Sequence, residues 1–204
     1  MKIVGAWRNA ILASTLGLCI SCLLATEVAI STRPAMADES PVQFINRMAR
    51  ELIAANRSGS APSFAAAIYK NAHVKAIGHY ALGNYRNSLK QADRDNYHNG
   101  MVRFISRYAA GESKKYQVER ADIKGQPYRS QSGIMVDTVV TLRDGQTYDV
   151  QWLLQASGGT YKVRDAKVNV MLGEYWMTPF LKDLFEKYIA ENGSVTALVV
   201  ALNR

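Results

Sequence analysis

The chain has 204 residues, with 25 lysines and arginines, 17 acidic residues, three histidines and two cysteines. This length is typical of one domain with a full hydrophobic core. Both cysteines, Cys19 and Cys22, lie near the start of the chain. The remainder therefore has neither disulfides nor thiol chemistry.

Residues 1–37 have the organisation of a bacterial secretory signal peptide. A short basic start (Lys2, Arg8) precedes a mostly apolar, uncharged run from Ala10 to Ala25, and Ala35-Met36-Ala37 supplies the small-x-small pattern of a cleavage site. We predict export to the periplasm and cleavage after Ala37.

Two alternatives remain for this segment. An uncleaved N-terminal anchor is one, although a spanning helix needs about 20 apolar residues and this run is short. A lipid-modified Cys22 is the lesser one, because Cys19 stands where such a site prefers leucine. Cleavage would leave a single domain, residues 38–204.

The mature chain is basic. Removing three basic residues and one acidic residue leaves 22 lysines and arginines against 16 acidic residues, a net charge of +6. An exported basic protein meets anionic lipid headgroups more readily than nucleic acid. We therefore expect transient contact with membrane surfaces and no nucleic-acid partner. The alternative is that these scattered charges only solvate the surface.

The N-terminal half of the mature chain predicts helices. Ser40 and Pro41 are typical of a helix start, and the stretch from Asn56 to Ser63 ends that helix with Gly and Pro. A second helical region runs from about Phe64 to Tyr85. Gly78 and Gly83 weaken it and favour a bend or break there.

A third helix is predicted from about Gln91 to Ala110, closed by Gly111. Helix returns near the C-terminus, capped by Thr178 with Pro179 at its first position and ended by Asn192-Gly193. Ser194 is expected to cap a last short helix.

The region between these helices changes to a period of two. It predicts about four antiparallel strands: Tyr116–Ile123, Gly133–Leu142, Thr147–Gln155 and Thr160–Leu172. Asp144-Gly145 is a strong hairpin signal. The fold class is therefore α+β, a curved antiparallel sheet packed against N- and C-terminal helices.

One predicted hairpin has a large apolar face. In "YDVQWLLQASGGTYKVRD", Tyr148–Asp165, alternate residues from Tyr148 to Leu154 share a face, and Tyr161 and Val163 can join them across the Ser157-Gly158-Gly159 turn. Such a face covers either an ordinary core or a bound ligand. An ordinary core is the more common role of any one such residue.

Signatures of catalysis and metal binding are missing. His73 and His79 are six residues apart, which does not place them on one helix face, and the calcium-loop-like "DRDNYHNG" has Phe104 where the closing Glu should be. The sequence contains no Gly-rich phosphate loop before a helix, no GxSxG and no HExxH. We expect no enzyme activity, no metal and no cofactor.

Three stretches, taken in order, resemble the MlaC / toluene-tolerance family. They are "HYALGNYRNSLKQADRDNYHNGMVRFISRYA", the hairpin quoted above, and "FLKDLFEKYIAENGSVTALVVAL". The resemblance spans about Asn71 to Leu202. It implies a periplasmic lipid carrier that shuttles a phospholipid between an outer-membrane lipoprotein complex and an inner-membrane ABC transporter bearing an MCE-domain protein.

One branch of the family is associated with hopanoid lipids. The family pattern "VEGVSLV" is replaced here by Val168-Asn169-Val170-Met171-Leu172, without its Glu-Gly pair. This departure favours the hopanoid branch. The competing hypothesis is an adaptor protein that has the same fold, a filled core and another envelope protein as its partner.

The family resemblance also implies a deep apolar pocket for acyl chains between sheet and helices. The residues that we predict to line it are Ile77, Tyr80, Ala81, Tyr85, Met101, Phe104, Tyr108, Val136, Val140, Tyr148, Val150, Trp152, Leu154 and Val168.

Overall fold

The structure, a computed structural model, describes residues 38–170 and 173–204. The predicted signal peptide lies outside these residues, and so does the predicted end of the fourth strand at Leu172. Within the described part, the helices are Pro41–Ser58 (α1), Ala61–Asn71 (α2), Val74–Ala81 (α3), Arg94–Glu112 (α4), Met177–Asn192 (α5) and Val195–Leu202 (α6). Two 3₁₀ segments, Gly83–Ser88 and Gln91–Asp93, connect α3 to α4.

The strands form one open antiparallel sheet in chain order. They are Val118–Ser130 (β1), Gly133–Leu142 (β2), Thr147–Ser157 (β3), Thr160–Val170 (β4) and Gly173–Trp176 (β5). The α+β prediction is confirmed, but the described part of the sheet has five strands where about four were expected. The missed β5 is four residues long and begins with Gly, so it carries no alternating pattern.

Helix α1 begins and ends as its sequence indicates. The Ser40 hydroxyl accepts a hydrogen bond from the Gln43 backbone N–H, and the Gln43 side chain accepts one from the Ser40 N–H. This reciprocal capping satisfies two N–H groups that the helix itself cannot. At the other end, Gly59 adopts a left-handed conformation (φ 60°) that suits glycine.

The second helical region has a break at Gly83, as predicted: α3 ends at Ala81, and Gly83 adopts a positive φ of 50°. It also has an earlier break, which the sequence does not predict. It falls at Ala72-His73, where Ala72 bridges to Val163 and the His73 N–H donates to the Val163 carbonyl. Pairing with β4 takes these two residues out of the helix. Gly78 stays helical, and its small size lets Tyr97 approach and donate to its carbonyl at 2.8 Å.

Other boundaries also differ from expectation. Helix α5 begins at Met177 with Trp176 at its N-cap position, so Thr178 lies inside the helix and does not cap it. Helix α4 continues through Gly111 to Glu112. Strand β1 continues past Ile123 to Ser130, because a register shift between Lys124 and Tyr128 accommodates Pro127 at the edge of the sheet.

The described residues form two hydrophobic clusters. The helical cluster joins α3, α4, α5 and α6, and its buried members are Ala81, Leu82, Tyr97, Met101, Leu181, Phe185, Ile189, Val195, Leu198, Val199 and Leu202. The sheet cluster joins α1 to one face of the sheet through Phe44, Ile45, Met48, Val136, Leu154, Tyr161 and Val163.

A bulge in the β3–β4 hairpin adjusts which residues share the α1-facing side. Leu154 pairs with Val163, but Leu153 pairs with Asp165, so Arg164 has no partner on β3. The predicted meeting of Leu154 and Val163 on one face therefore occurs. Beyond the bulge, the same face continues through Ala166, which is paired with Trp152.

Candidate functional site: an apolar cavity between sheet and helices

A cavity of about 420 Å³ lies between the helical cluster and the sheet cluster. Every helix from α1 to α5 contributes to its wall, together with β3 and β4. The lining residues are Met48, Leu52, Phe64, Ala67, Ile68, Asn71, Ala72, Ile77, Phe104, Ile105, Tyr108, Ala109, Trp152, Val163, Asp165, Ala166, Met177, Thr178, Phe180, Leu181 and Leu184. This volume and this apolar lining are typical of a site for a small hydrophobic ligand.

The wall formed by α1 and α2 is held by a polar network behind it. Arg47 donates to Glu39 at 2.9 Å and to Asn71 at 2.8 Å, and Asn71 donates to Glu51 at 2.7 Å. The hydrogen bond from Arg47 lowers the pKa of Glu39 below its ordinary value. These contacts join α1 to α2 beside the cavity.

The cavity has an exposed apolar rim. Tyr108 on α4 is 67% exposed and Phe180 on α5 is 51% exposed, and Met177 and Leu184 on α5 are each 38% exposed. All four also line the cavity. The apolar surface therefore continues from the interior to the solvent between α4 and α5, where a chain-like molecule could enter.

Trp152 lines the cavity while its polar atom is satisfied elsewhere. Its indole N–H donates to the Thr138 hydroxyl at 3.0 Å, and that hydroxyl donates to the Val150 carbonyl at 3.1 Å. Thr138 is 2% exposed. The indole nitrogen thus adds no unsatisfied donor to the cavity wall.

Asp165 is the carboxylate in the cavity wall. One of its oxygens accepts hydrogen bonds from the backbone N–H groups of Ala166 and Thr178, both at 2.8 Å. Burial raises the pKa of Asp165 above its ordinary value of 3.8. Because Thr178 lies in the first turn of α5, these bonds tie the start of α5 to β4.

The fourteen residues predicted to line a pocket are distributed over several places. Ile77, Phe104, Tyr108 and Trp152 lie in the wall of the apolar cavity. Tyr80 lines a neighbouring cavity that also includes Ile77. Ala81 and Met101 are buried in the helical cluster, and Tyr85 packs against it.

The remaining sheet residues are covered or lie farther along the strands. Val136 and Leu154 are buried beneath α1 in the sheet cluster. Val140, Tyr148, Val150 and Val168 follow the same face toward the Asp144-Gly145 turn. Alternation along a strand places residues on a face, but it does not tell which part of that face a helix covers.

Most of the wall comes from residues that the prediction did not include. They belong mainly to α2 and α5, and the sequence does show the apolar stripes of both helices. On α2 they include Phe64, Ala67 and Ile68, and on α5 they include Phe180, Leu181 and Leu184. These stripes carry no mark that distinguishes cavity from core. Asp165 was missed as well, although two-residue alternation from Tyr161 and Val163 puts this carboxylate at the next position of an apolar face.

The residues that the structure describes contain no group of three or more His, Cys, Asp and Glu side chains that could hold a metal ion. None of the helices in 38–170 and 173–204 is both long enough and apolar enough to cross a bilayer.

Comparison with known proteins identifies relatives. The family model described as "MlaC protein" matches residues 43–203. A solved structure of a phospholipid-binding protein from Ralstonia solanacearum, in complex with a phospholipid, matches with a TM-score of 0.63 and 19% sequence identity, covering 83% of this chain and 96% of that chain. The TM-score shows a shared fold. No curated protein matches this chain.

Proposed function

The chain belongs to the MlaC family, and on that premise we propose that it is a periplasmic lipid carrier whose cargo occupies the apolar cavity. The observation that carries this proposal is the 420 Å³ apolar cavity and its exposed rim. The likeness in fold to a phospholipid-binding protein supports the same assignment.

Energetics favour a cavity that serves a ligand. Because the apolar lining opens to solvent at the rim, an unoccupied cavity exposes that lining to water. Such exposure is unfavourable in proportion to the apolar area. Covering the lining with the apolar chains of a ligand removes this area from water and stabilises the complex.

The exposed rim provides an apolar path from the solvent into the cavity. A lipid chain of about sixteen carbons exposes apolar surface worth roughly 13 kcal/mol in water, at about 0.8 kcal/mol per methylene. Extraction from a membrane therefore requires apolar protein surface that is continuous from the outside inward. Tyr108 and Phe180 provide such surface at the opening, and Phe104, Ile105 and Trp152 extend it inward.

The cargo is a phospholipid or a hopanoid. We propose that the protein moves it between the outer and inner membranes as the soluble component of an MCE-type ABC transport system. An outer-membrane lipoprotein complex and the inner-membrane transporter are its proposed partners, with transient contact to anionic membrane surfaces. The family membership and the net basic charge of the chain support this role.

An adaptor with a filled core is the competing function, and the cavity argues against it. The two are separated by purifying the protein from a bacterial periplasmic fraction without detergent, extracting it with organic solvent and identifying the lipids by mass spectrometry. We expect about one diacyl phospholipid or hopanoid per protein. A protein that carries no lipid above the level of an unrelated periplasmic protein treated identically would favour the adaptor.

A further inference from the structure

A second cavity, of about 390 Å³ and with a polar lining, adjoins the apolar cavity. Its wall consists of Ala76, Ile77, Tyr80, Ser132, Leu153, Gln155, Arg164, Asp165 and Thr178. Three of these residues, Ile77, Asp165 and Thr178, also line the apolar cavity. The polar cavity and the apolar cavity therefore adjoin at these residues, so that polar and apolar surface lie side by side, as an amphiphilic ligand requires.

Arg164 is the cation of this polar cavity. It is the residue that the β-bulge leaves without a partner on β3, and it is half-buried. Its guanidinium donates to the side-chain oxygen of Gln155 at 3.3 Å. Across residues 38–170 and 173–204, no carboxylate lies within ion-pairing distance of it. A half-buried guanidinium without a counterion is suited to binding an anion.

The neighbouring carboxylate does not neutralise Arg164. One Asp165 oxygen is held by the N–H groups of Ala166 and Thr178, and the Thr178 hydroxyl donates to the Arg164 carbonyl at 3.3 Å. Through these hydrogen bonds Asp165 joins the start of α5 to β4. They leave the guanidinium of Arg164 facing the polar cavity together with neutral donors.

The neutral donors are the Tyr80 hydroxyl, the Ser132 hydroxyl and the Gln155 amide. A phosphodiester has one negative charge and several acceptor oxygens, so it matches one guanidinium surrounded by neutral donors. We propose that the polar cavity binds the phosphodiester of a phospholipid through Arg164, while the acyl chains lie in the apolar cavity. This inference rests on the proposed carrier function and adds the chemical class of the headgroup.

The test compares two lipids and two arginine variants. The probes are a phosphatidylcholine and a diacylglycerol that carry the same fluorescent acyl chain. Arg164→Gln is compared with the control variant Arg143→Gln. The two arginines are matched because the Arg143 guanidinium also donates to a glutamine side-chain oxygen, that of Gln117, at 3.3 Å. Arg143 lies in an exposed turn. Arg143 is absent from the walls of both cavities.

We expect Arg164→Gln to weaken phosphatidylcholine binding about tenfold, as the loss of a partly exposed charged hydrogen bond would. Binding of the diacylglycerol should be unchanged, and Arg143→Gln should leave both lipids unaffected. Arg164→Lys, which keeps the charge, should recover part of the loss. Thermal melting verifies that each variant is folded.

Several results would overturn the headgroup site. One is wild-type protein that binds phosphatidylcholine and diacylglycerol equally well, a comparison that needs no variant to fold. Another is an Arg164→Gln variant that loses both lipids to the same extent. Inorganic phosphate that binds the wild type as tightly as phosphatidylcholine does would assign the cavity to free phosphate instead. Wild-type protein that binds neither lipid would reject the headgroup site, and it would reject the carrier function as well if the protein also co-purifies with no phospholipid or hopanoid.

Discussion

Helix α5 contains two kinds of apolar side chain, and their difference explains how this fold combines stability with a cavity. Phe185 and Ile189 are 1% and 2% exposed and are buried in the helical cluster. Phe180 and Leu184, on the same helix, are 51% and 38% exposed and line the apolar cavity. The first pair has its packing partners within the protein, whereas the second pair presents surface to the cavity.

Helix α4 repeats this division. Tyr97 and Met101 are fully buried in the helical cluster, and Tyr108 reaches the rim of the cavity. Phe104 takes part in both, since its ring packs edge-on against Phe185 at 6.2 Å and it also lines the cavity. The helical cluster therefore stabilises the fold independently of cargo, and the cavity wall can be changed with less effect on folding.

The largest expected effect comes from truncating one phenylalanine in each region of α5. Phe185→Ala should lower the free energy of unfolding by about 3–5 kcal/mol, because it leaves a void beside the rings of Tyr97 and Phe104. Phe180→Ala should cost less than about 1 kcal/mol, because the side chain is half exposed.

Chemical denaturation of the two variants measures this difference. Phe180→Ala should in addition lower the amount of co-purified lipid, because it removes apolar surface from the rim. Equal destabilisation by both substitutions would mean that the rim is part of the folding core.

A smaller effect concerns the tie between α5 and β4. Burial raises the pKa of Asp165, so the native protein binds this proton more readily than the unfolded chain does. Ionisation of Asp165 therefore costs stability as the pH rises above 3.8, the ordinary value for the group. Asp165→Asn keeps an oxygen that can accept the same backbone hydrogen bonds without the charge.

The stability of Asp165→Asn relative to the wild type should consequently improve between about pH 3.5 and pH 7. Urea unfolding of both proteins across that range gives the comparison. A relative stability that falls with increasing pH would show that the Asp165 carboxylate is favourably paired in the native state.

The sequence predicts the elements of this fold better than it predicts their relation to the cavity. Local signals are sufficient for the capping of α1 by Ser40 and for the hairpin turns at Asp144-Gly145 and Gly158-Gly159, where the glycines adopt positive φ. The break at Ala72-His73 was not predictable in this way, because it depends on a bridge to Val163, which is about ninety residues away in the chain.

The sequence is also insufficient to predict which residues of a strand line the cavity. Val150, Trp152 and Leu154 alternate along one strand face, and the pattern treats them alike. In the structure, α1 covers Leu154, Trp152 contacts the cavity, and Val150 lies farther toward the turn. Only the positions of the helices over the sheet distinguish these three residues.

The central claim is that the space beside α2 belongs to a ligand and is not part of the packed core. Ala67 on α2 and Ala55 on α1 test it as a matched pair, since both are buried helical alanines, 6% and 2% exposed, and only Ala67 lines the cavity. Replacing Ala55 with Phe should overpack the core and cost about 1–3 kcal/mol.

The most direct measurement is native mass spectrometry of Ala67→Phe, combined with its thermal melting. We predict a change in the free energy of unfolding of less than about 0.5 kcal/mol in lipid-free protein, together with a loss of at least about half of the bound lipid, because the new ring occupies cargo volume. Destabilisation as large as that of Ala55→Phe, with no change in bound lipid, would contradict the account.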